Sequence, residues 1–188
     1  MKLKLGLATS LVAALTLTAL VGMHAFAGGG QTKFKADVLT GYQEAAISGT
    51  TSVGAISTPA TGTFEATVDD DAQTLSYTLT YSGLTTAATQ AHIHFGNRVQ
   101  NGGVVVFLCG GGPHPVACPA GTTSEAVVTG TLNASDVIGP SSQGIAATEF
   151  GELVDALRAG VAYANVHSTT WPSGEIRGQI NDDNQRQP

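Results

Sequence analysis

The chain is poor in charged residues, in aromatic residues and in cysteine. Only 12% of its 188 residues are charged, and eight basic side chains stand against fourteen acidic ones. The net charge of −6 provides no basic patch of the kind that nucleic acids and anionic lipid surfaces require. The composition therefore argues against a nucleic-acid-binding function and favours cations or basic partner surfaces.

Signatures of catalysis are also missing. No G-x-S-x-G motif is present, and the glycine runs 28–30 and 110–112 lack the strand–loop–helix context of a phosphate-binding loop. Ser168 follows His167 directly, so on a strand the two side chains would point to opposite faces. We predict no catalytic residue and no enzymatic activity.

The first 27 residues have the pattern of a secretory signal peptide. Lys2 and Lys4 precede an uncharged apolar run over 5–21, and Ala25-Phe26-Ala27 is the small-x-small pattern of a cleavage site. The alternative is a membrane anchor, because the run has nearly the length of a bilayer span, but no basic stop-transfer cluster follows it. We expect a secreted or periplasmic protein with a net charge of −8, without a stable membrane anchor after cleavage.

The two cysteines, Cys109 and Cys118, both lie in the predicted mature chain. An even number of cysteines in an exported chain favours a disulfide, and the Gly/Pro-rich segment between them can bend back. Such a bridge would stabilise the fold by ~2–3 kcal/mol. A metal site that includes His114 is the alternative, but the spacing fits structural zinc sites poorly. We expect His114 to be an exposed loop residue.

The remaining sequence predicts an all-β domain over 28–180. It is rich in Gly, Thr, Ala and Val, and segment 74–82 alternates strictly between apolar and hydroxyl side chains. We expect 42–60 to be an extended loop or edge segment and the polar tail 181–188 to be disordered. The predicted strands are 34–39, 61–68, 74–82, 88–95, 103–108, 125–132, 161–168 and 173–180. Short strands separated by Gly and Pro are typical of an antiparallel β-sandwich or barrel, Greek-key-like in its connections.

One helix is predicted between Thr148, its expected N-cap, and Gly160, its expected end. Its apolar residues recur at helical spacing, which predicts a short helix that covers one end of the domain. They are Phe150, Leu153, Val154 and Leu157.

Two segments concentrate the polar side chains. On strands with two-residue periodicity, His92 and His94 share a face, and His167 shares a face with Tyr163 and Asn165. If the strands are neighbours, the three histidines meet, and three imidazoles can hold copper or zinc with one position left open. The segment 174–180 places further polar side chains on one face, which could support the site as an ion pair or by orienting the histidines; these are Glu175, Arg177 and Gln179.

The alternative is a purely structural network. Buried histidine, asparagine, arginine and glutamate side chains on neighbouring strands commonly tie a sheet together through satisfied hydrogen bonds. His-x-His is a weak signal by itself, and the spacing does not fix the geometry that a metal requires.

The chain resembles the CHRD family, whose domain was first described in chordin and is common in exported bacterial proteins. The resemblance extends from about 34 to 180, and the segment 163–180 carries its longest motif. The matching motifs are Gly41-x-x-Glu44, Gly62-Thr63, Ala91-His92-Ile93-His94, Val104-Val105-Val106-x-Leu108, Leu157-Arg158-Ala159-Gly160, Tyr163-x-Asn165-Val166-His167-Ser168 and Pro172-x-Gly174-Glu175-Ile176-Arg177-Gly178-Gln179-Ile180.

The resemblance implies an all-β sandwich or barrel without established enzymatic activity, and in chordin such domains belong to an extracellular protein that binds growth factors. The histidines also resemble those of Cu/Zn superoxide dismutase, another sandwich, at the level of architecture. This chain departs from the dismutase because it has neither a clear fourth copper ligand nor a zinc-loop His/Asp set, and its two cysteines lie close together. Dismutase activity is therefore not carried over.

Our leading functional expectation is an exported, non-enzymatic binding or structural module whose partner is an extracellular or envelope protein. No cofactor is certain from the sequence. The alternative is a copper- or zinc-binding protein that uses His92, His94 and His167. A redox enzyme built on that metal ranks third.

Overall fold

The computed structural model describes residues 31–48, 51–113 and 115–182. The predicted signal peptide 1–27, His114 and the end of the predicted tail, 183–188, lie outside the described residues.

Within the described residues the chain forms ten strands, and the predicted all-β architecture is confirmed. The segment 42–60, where we expected an extended loop or edge segment, instead holds a 3-10 turn, η1 (Gly41–Gln43), and the two shortest strands. The strands are β1 (Gln31–Thr40), β2 (Ala46–Ser48), β3 (Thr51–Gly54), β4 (Thr61–Asp69), β5 (Thr74–Ser82), β6 (Ala88–Phe95), β7 (Gly103–Cys109), β8 (Ala126–Leu132), β9 (Ala162–Ser168) and β10 (Ile176–Asp182).

Eight of these strands form one antiparallel sheet in the order β7-β6-β9-β10-β1-β4-β5-β8. The sheet nearly closes into a barrel, because the two edge strands come together at one seam. There the Tyr77 hydroxyl donates to the Leu108 carbonyl at 2.6 Å, and the Ile138 N–H donates to the Val105 carbonyl at 2.9 Å. These bonds satisfy backbone groups that an open sheet edge would expose.

The alternating strands place their apolar residues in the barrel interior. Strand β4 alternates between exposed and buried positions, and its inward side chains include Phe64 and Val68. Ala91 and Ile93 of β6 and Val166 of β9 are also fully buried in this core. Their neighbours along the strand must therefore project from the opposite face of the sheet.

The predicted helix is present as α1 (Phe150–Arg158), with its apolar stripe in the core. Gly160 follows it with a φ of +67° and donates to the Leu157 carbonyl, as expected for a C-terminal glycine. The predicted cap by Thr148 is wrong. Glu149 is the N-cap residue without a capping side-chain bond, and its carboxylate instead accepts from the Ala146 N–H.

The last two strands of the chain, β9 and β10, are buried on both faces of the sheet. All seven residues of β9 are buried, and β10 continues as a strand through Asn181 and Asp182. The expected disorder of these two residues is therefore wrong, since they pair with Lys35 and Phe34 of β1. Double burial follows because the barrel core covers one face and surface loops cover the other.

The described part of the chain contains no helix with the length and hydrophobicity that crossing a bilayer demands.

Candidate metal centre

Strands β6 and β9 are neighbours, and their register brings the three predicted histidines together. His92 lies opposite Asn165 and His94 opposite Tyr163, while His167 lies opposite Gln90. Because alternate residues share a face, His92, His94 and His167 all project from the outer face of the sheet. Strand order cannot be read from the sequence, so only the structure shows this adjacency.

The three imidazoles form a compact, buried cluster. The ring centroids lie 5.3 Å apart for His92 and His94, 4.7 Å for His92 and His167, and 6.0 Å for His94 and His167. One nitrogen from each ring lies within 4.8 Å of the other two. The exposed fraction is 4% for His92, 9% for His94 and 7% for His167, so little bulk water reaches the cluster.

Backbone carbonyls fix the ring nitrogens of two histidines. His94 Nδ1 lies 3.0 Å from the Gly102 carbonyl, and His167 Nδ1 lies 3.1 Å from the Pro172 carbonyl. A carbonyl only accepts hydrogen bonds, so each Nδ1 must carry the hydrogen. In the neutral rings the lone pair is then on Nε2, which is the nitrogen that would bind a metal.

His92 completes the chain of hydrogen bonds. Its Nδ1 lies 3.0 Å from Nε2 of His167, to which it donates. His92 Nε2 and His94 Nε2 are left buried and without a hydrogen-bond partner. Two unpartnered acceptors in one buried cluster are unusual, because buried polar atoms are nearly always satisfied.

The environment keeps the rings neutral. Burial, together with the neighbouring His167 and His94, lowers the pKa of His92 to about 3. Burial is also the largest cause at His94, whose pKa falls to about 4, and it lowers the pKa of His167 as well. Neutral imidazoles at physiological pH are the form that metals bind.

An aromatic and cationic stack supports His94. The Tyr163 ring lies parallel to the His94 ring with centroids 4.8 Å apart, and the Arg177 guanidinium lies 3.4 Å from the Tyr163 centroid on a cation–π contact. Arg177 also donates to the Gln100 and Asn97 carbonyls at 2.8 and 2.5 Å. Arg177 thus anchors the same loop whose Gly102 carbonyl orients His94.

Glu44 is a member of this network that the sequence analysis did not place at the site. Its carboxylate accepts a hydrogen bond from Nδ2 of Asn165, which also donates to the Ile176 carbonyl at 3.0 Å. Burial raises the pKa of Glu44 to about 7, although Asn165 and the Arg177 charge act in the opposite direction. The only available signal was the Gly41-x-x-Glu44 motif, in which a Cβ on Gly41 would collide with the Ile56 carbonyl.

The expected pairing of Glu175 with Arg177, or with the histidines, is wrong. Oε1 of Glu175 accepts from the Thr58 hydroxyl and from both the N–H and the hydroxyl of Thr85, and Oε2 accepts from Ser168 at 2.5 Å. Strand β10 begins only at Ile176, after Gly174 turns the chain with a φ of +120°. Strand alternation therefore does not extend to Glu175, which lies with Ser168 on the face opposite to His167.

Gln179 joins two loop ends rather than the histidines. Its Nε2 donates to the Gly96 carbonyl at 3.1 Å and the Gly160 carbonyl at 2.8 Å. Tyr163, by contrast, lies in the network as expected, and its hydroxyl accepts from the Gly102 N–H at 3.1 Å.

Two cavities border the network. A cavity of about 150 Å³ lies beside His94, between Tyr163, Asn165 and Ser173. A more open groove of about 420 Å³ is lined by Glu44, Arg177 and Gln179 at its base and by the exposed Tyr42 and Val99. The smaller cavity borders one of the three candidate ligands.

The cysteine loop packs near the other side of the cluster. Cys109 and Cys118 are joined in a disulfide with Cα atoms 5.2 Å apart. The loop runs so close to Phe107 that a Cβ on Gly111 would lie 2.7 Å from its ring. Phe107 in turn presents its ring to His92 at a centroid distance of 4.4 Å and an interplanar angle of 88°. The loop thereby supports the aromatic wall of the cluster.

Comparison with known proteins identifies the family of this chain. A search of curated proteins finds no match. The family model of the CHRD domain matches residues 38–180, which include the three histidines, both cysteines and most of the sheet. The chain belongs to the CHRD family.

Proposed function

We propose that this protein is an exported CHRD module that binds one copper or zinc ion through His92, His94 and His167. The observation that carries the proposal is the pair of buried, unpartnered nitrogens, His92 Nε2 and His94 Nε2, on rings that contact the ring of His167. A structural network would leave neither nitrogen unsatisfied, whereas a metal ion would use these lone pairs.

The donor set selects the metal. Imidazole nitrogens suit copper and zinc, and the Irving–Williams order places copper first among divalent ions. The described residues include no cysteine thiolate in the cluster and no fourth His, Asp or Glu within it. Three protein nitrogens leave one coordination position of the ion open. A structural zinc site differs, because four protein ligands fill all of its positions.

The residues around the cluster orient the ligands. The Gly102 and Pro172 carbonyls hold two Nδ1–H groups and thereby direct the corresponding Nε2 atoms into the cluster. Tyr163 and Phe107 flank His94 and His92 and exclude water from the rings. Metal binding would take up the Nε2 lone pair of His167, which accepts a hydrogen bond from His92 Nδ1 in the metal-free cluster.

Export is part of the proposal and has independent support. The disulfide is typical of oxidising compartments, and residues 1–27 have the pattern of a signal peptide. An extracellular or envelope protein is the proposed partner of such a module. Expression of the full chain in a bacterial host should give a mature N-terminus at Gly28 by N-terminal sequencing, and an uncleaved chain would contradict export by this route.

The binding experiment uses the mature chain, stripped with EDTA. We expect one Cu or Zn per chain by elemental analysis after dialysis, with Zn(II), Cu(II) and anaerobic Cu(I) tested separately. His94→Gln should abolish retention, because it removes a ligand nitrogen but keeps a polar side chain. His114→Gln is the matched control, since it removes the histidine of the cysteine loop and should retain full stoichiometry.

Circular dichroism verifies the fold of both variants. Retention of metal by folded His94→Gln, or no retention of any of the three ions by the parent chain, would refute the metal proposal. The CHRD fold would then carry only a structural polar network.

A further inference from the structure

We infer that the three-histidine site selects monovalent copper, Cu(I), over Cu(II) and Zn(II). This inference rests on the proposed function and adds the charge of the preferred ion. Three features of the cluster support it: its burial, the absence of an anionic ligand, and a guanidinium close behind one ligand.

Burial penalises a divalent ion more strongly than a monovalent one. All three ligands are at most 9% exposed. The cost of moving an ion from water into a low-dielectric interior rises with the square of its charge, so it is about four times larger for a dication of the same size. Proteins that hold dications in buried sites normally offset this cost with anionic ligands.

No anionic ligand is present in the described part of the cluster. The three candidate ligands are neutral imidazoles, and the cluster contains no carboxylate or thiolate. Glu175 is occupied by three other residues on the opposite face of the sheet. The Glu44 carboxyl interacts electrostatically with Arg177, but its raised pKa of about 7 leaves it only partly ionised at neutral pH.

A positive charge lies behind His94 instead. The Arg177 guanidinium stacks on Tyr163, which stacks on His94. The guanidinium produces a positive electrostatic potential at His94. The same field opposes a metal in proportion to the charge of the ion. The overall negative charge of the chain favours dications, but it acts mainly through solvent, where salt screens it beyond about 8–10 Å.

The arrangement of donors also suits a three-coordinate ion. Metal–nitrogen bonds of about 2.0 Å in a trigonal plane separate the nitrogens by about 3.5 Å. The candidate ligand atoms all lie within 4.8 Å of one another. Small movements of the rings therefore produce a trigonal site. Zn(II) and Cu(II), which take four or more ligands, would need further ligands from solvent.

The test measures affinities for the three ions on the mature chain. Anaerobic competition with a chromogenic Cu(I) chelator gives the Cu(I) affinity, and competition with calibrated chelators gives those of Cu(II) and Zn(II). We expect the tightest binding for Cu(I). Voltammetry should give a reduction potential more positive than that of the aqueous Cu(II)/Cu(I) couple, because that shift reports the ratio of the two copper affinities.

A matched pair of variants tests the electrostatic cause. Phe107 is half-buried with its ring perpendicular to that of His92, so Phe107→Glu brings a carboxylate to the cluster and Phe107→Gln brings an uncharged side chain of similar size. Relative to Phe107→Gln, we expect Phe107→Glu to shift the ratio of Cu(I) to Zn(II) affinity toward zinc by about tenfold or more. Neither variant removes a candidate ligand.

The outcomes separate the two proposals. Absence of binding of all three ions would overturn both the proposed function and this inference. Tighter binding of Cu(II) or Zn(II), or a potential below that of the aqueous couple, would leave the metal site standing and overturn the preference for Cu(I). An unchanged affinity ratio in folded Phe107→Glu would overturn the electrostatic explanation on which the preference rests.

Discussion

Acidification of the metal-free domain should reveal the depressed pKa values of the cluster as lost stability. His92 and His94 have pKa values of about 3 and about 4 in the fold, against an ordinary value of 6.5. As the pH falls from 7 to 5, the unfolded chain takes up protons at these residues and the folded chain does not. Stability must therefore decrease as the pH falls, because the unfolded state binds more protons.

The magnitude follows from linkage. Over this interval each of the two histidines costs about 2 kcal/mol, because a full proton difference is worth about 1.4 kcal/mol per pH unit. His167, whose pKa is also lowered by burial, acts in the same direction. Glu44 acts in the opposite direction. Its pKa is about 7 in the folded chain and has an ordinary value of 4.5, so between pH 7 and pH 5 the folded chain takes up a proton that the unfolded chain does not. This difference adds about 2 kcal/mol of stability over the interval.

A comparison of variants isolates the histidine contribution. In the double variant His92→Gln/His94→Gln the Glu44 contribution remains and the two histidine contributions disappear. Urea denaturation with EDTA at pH 7 and pH 5 should show that the parent chain loses about 4 kcal/mol more than the double variant. His114→Gln should behave like the parent chain. Equal losses in the parent and the double variant would refute the conclusion that the cluster is buried in its neutral form.

Three further predictions concern the network and the cysteine loop, each measured by urea denaturation at pH 7. Arg177→Ala should cost about 3 kcal/mol, because the loss of the buried guanidinium removes two charge-assisted hydrogen bonds to the Gln100 and Asn97 carbonyls; an unchanged midpoint would show that this contact is minor. Glu175→Met should cost about 3 kcal/mol by leaving its hydrogen-bond donors unsatisfied, whereas the exposed Asp71→Ala should have almost no effect; equal effects would contradict the buried role of this carboxylate. Reduction of Cys109–Cys118 should cost about 3 kcal/mol, and the unreduced chain should be two hydrogens lighter by mass spectrometry; free thiols in the unreduced chain would contradict the bond.

Local patterns predicted the strands well where alternation is strict. Segment 74–82 has the predicted bounds because its side chains alternate between core and outer face without interruption, and segment 88–95 has the predicted bounds as well. The prediction failed where a glycine redirects the chain. Gly174 delays β10 to Ile176, and this removes Glu175 from the face on which alternation had placed it. Positive φ at glycine is a local conformation that side-chain periodicity does not report.

The composition of the candidate site was predictable only in part. His92 and His94 share a face by local periodicity, but their meeting with His167 depends on β6 lying beside β9, about 75 residues away. Glu44 is 121 residues from Asn165, to which it is hydrogen-bonded. Such contacts depend on the strand order of the whole barrel, and no local pattern encodes that order.

The burial of the outer face of β6, β9 and β10 around the histidines is the strongest argument that this region has a function beyond folding. In an antiparallel sheet whose inner face packs on the core, the outer face is free to face water, where polar side chains carry no desolvation cost. Here loops cover that face, and three of the four buried side-chain atoms found without a partner in the described residues lie on it: His92 Nε2, His94 Nε2 and Gln179 Oε1. Apolar residues would pack there without this cost, and a purely structural network would satisfy each atom. This face is buried and polar, and some of its polar atoms have no hydrogen-bond partner, whereas the rest of the barrel buries apolar side chains. Such departures are expected where a ligand completes the site.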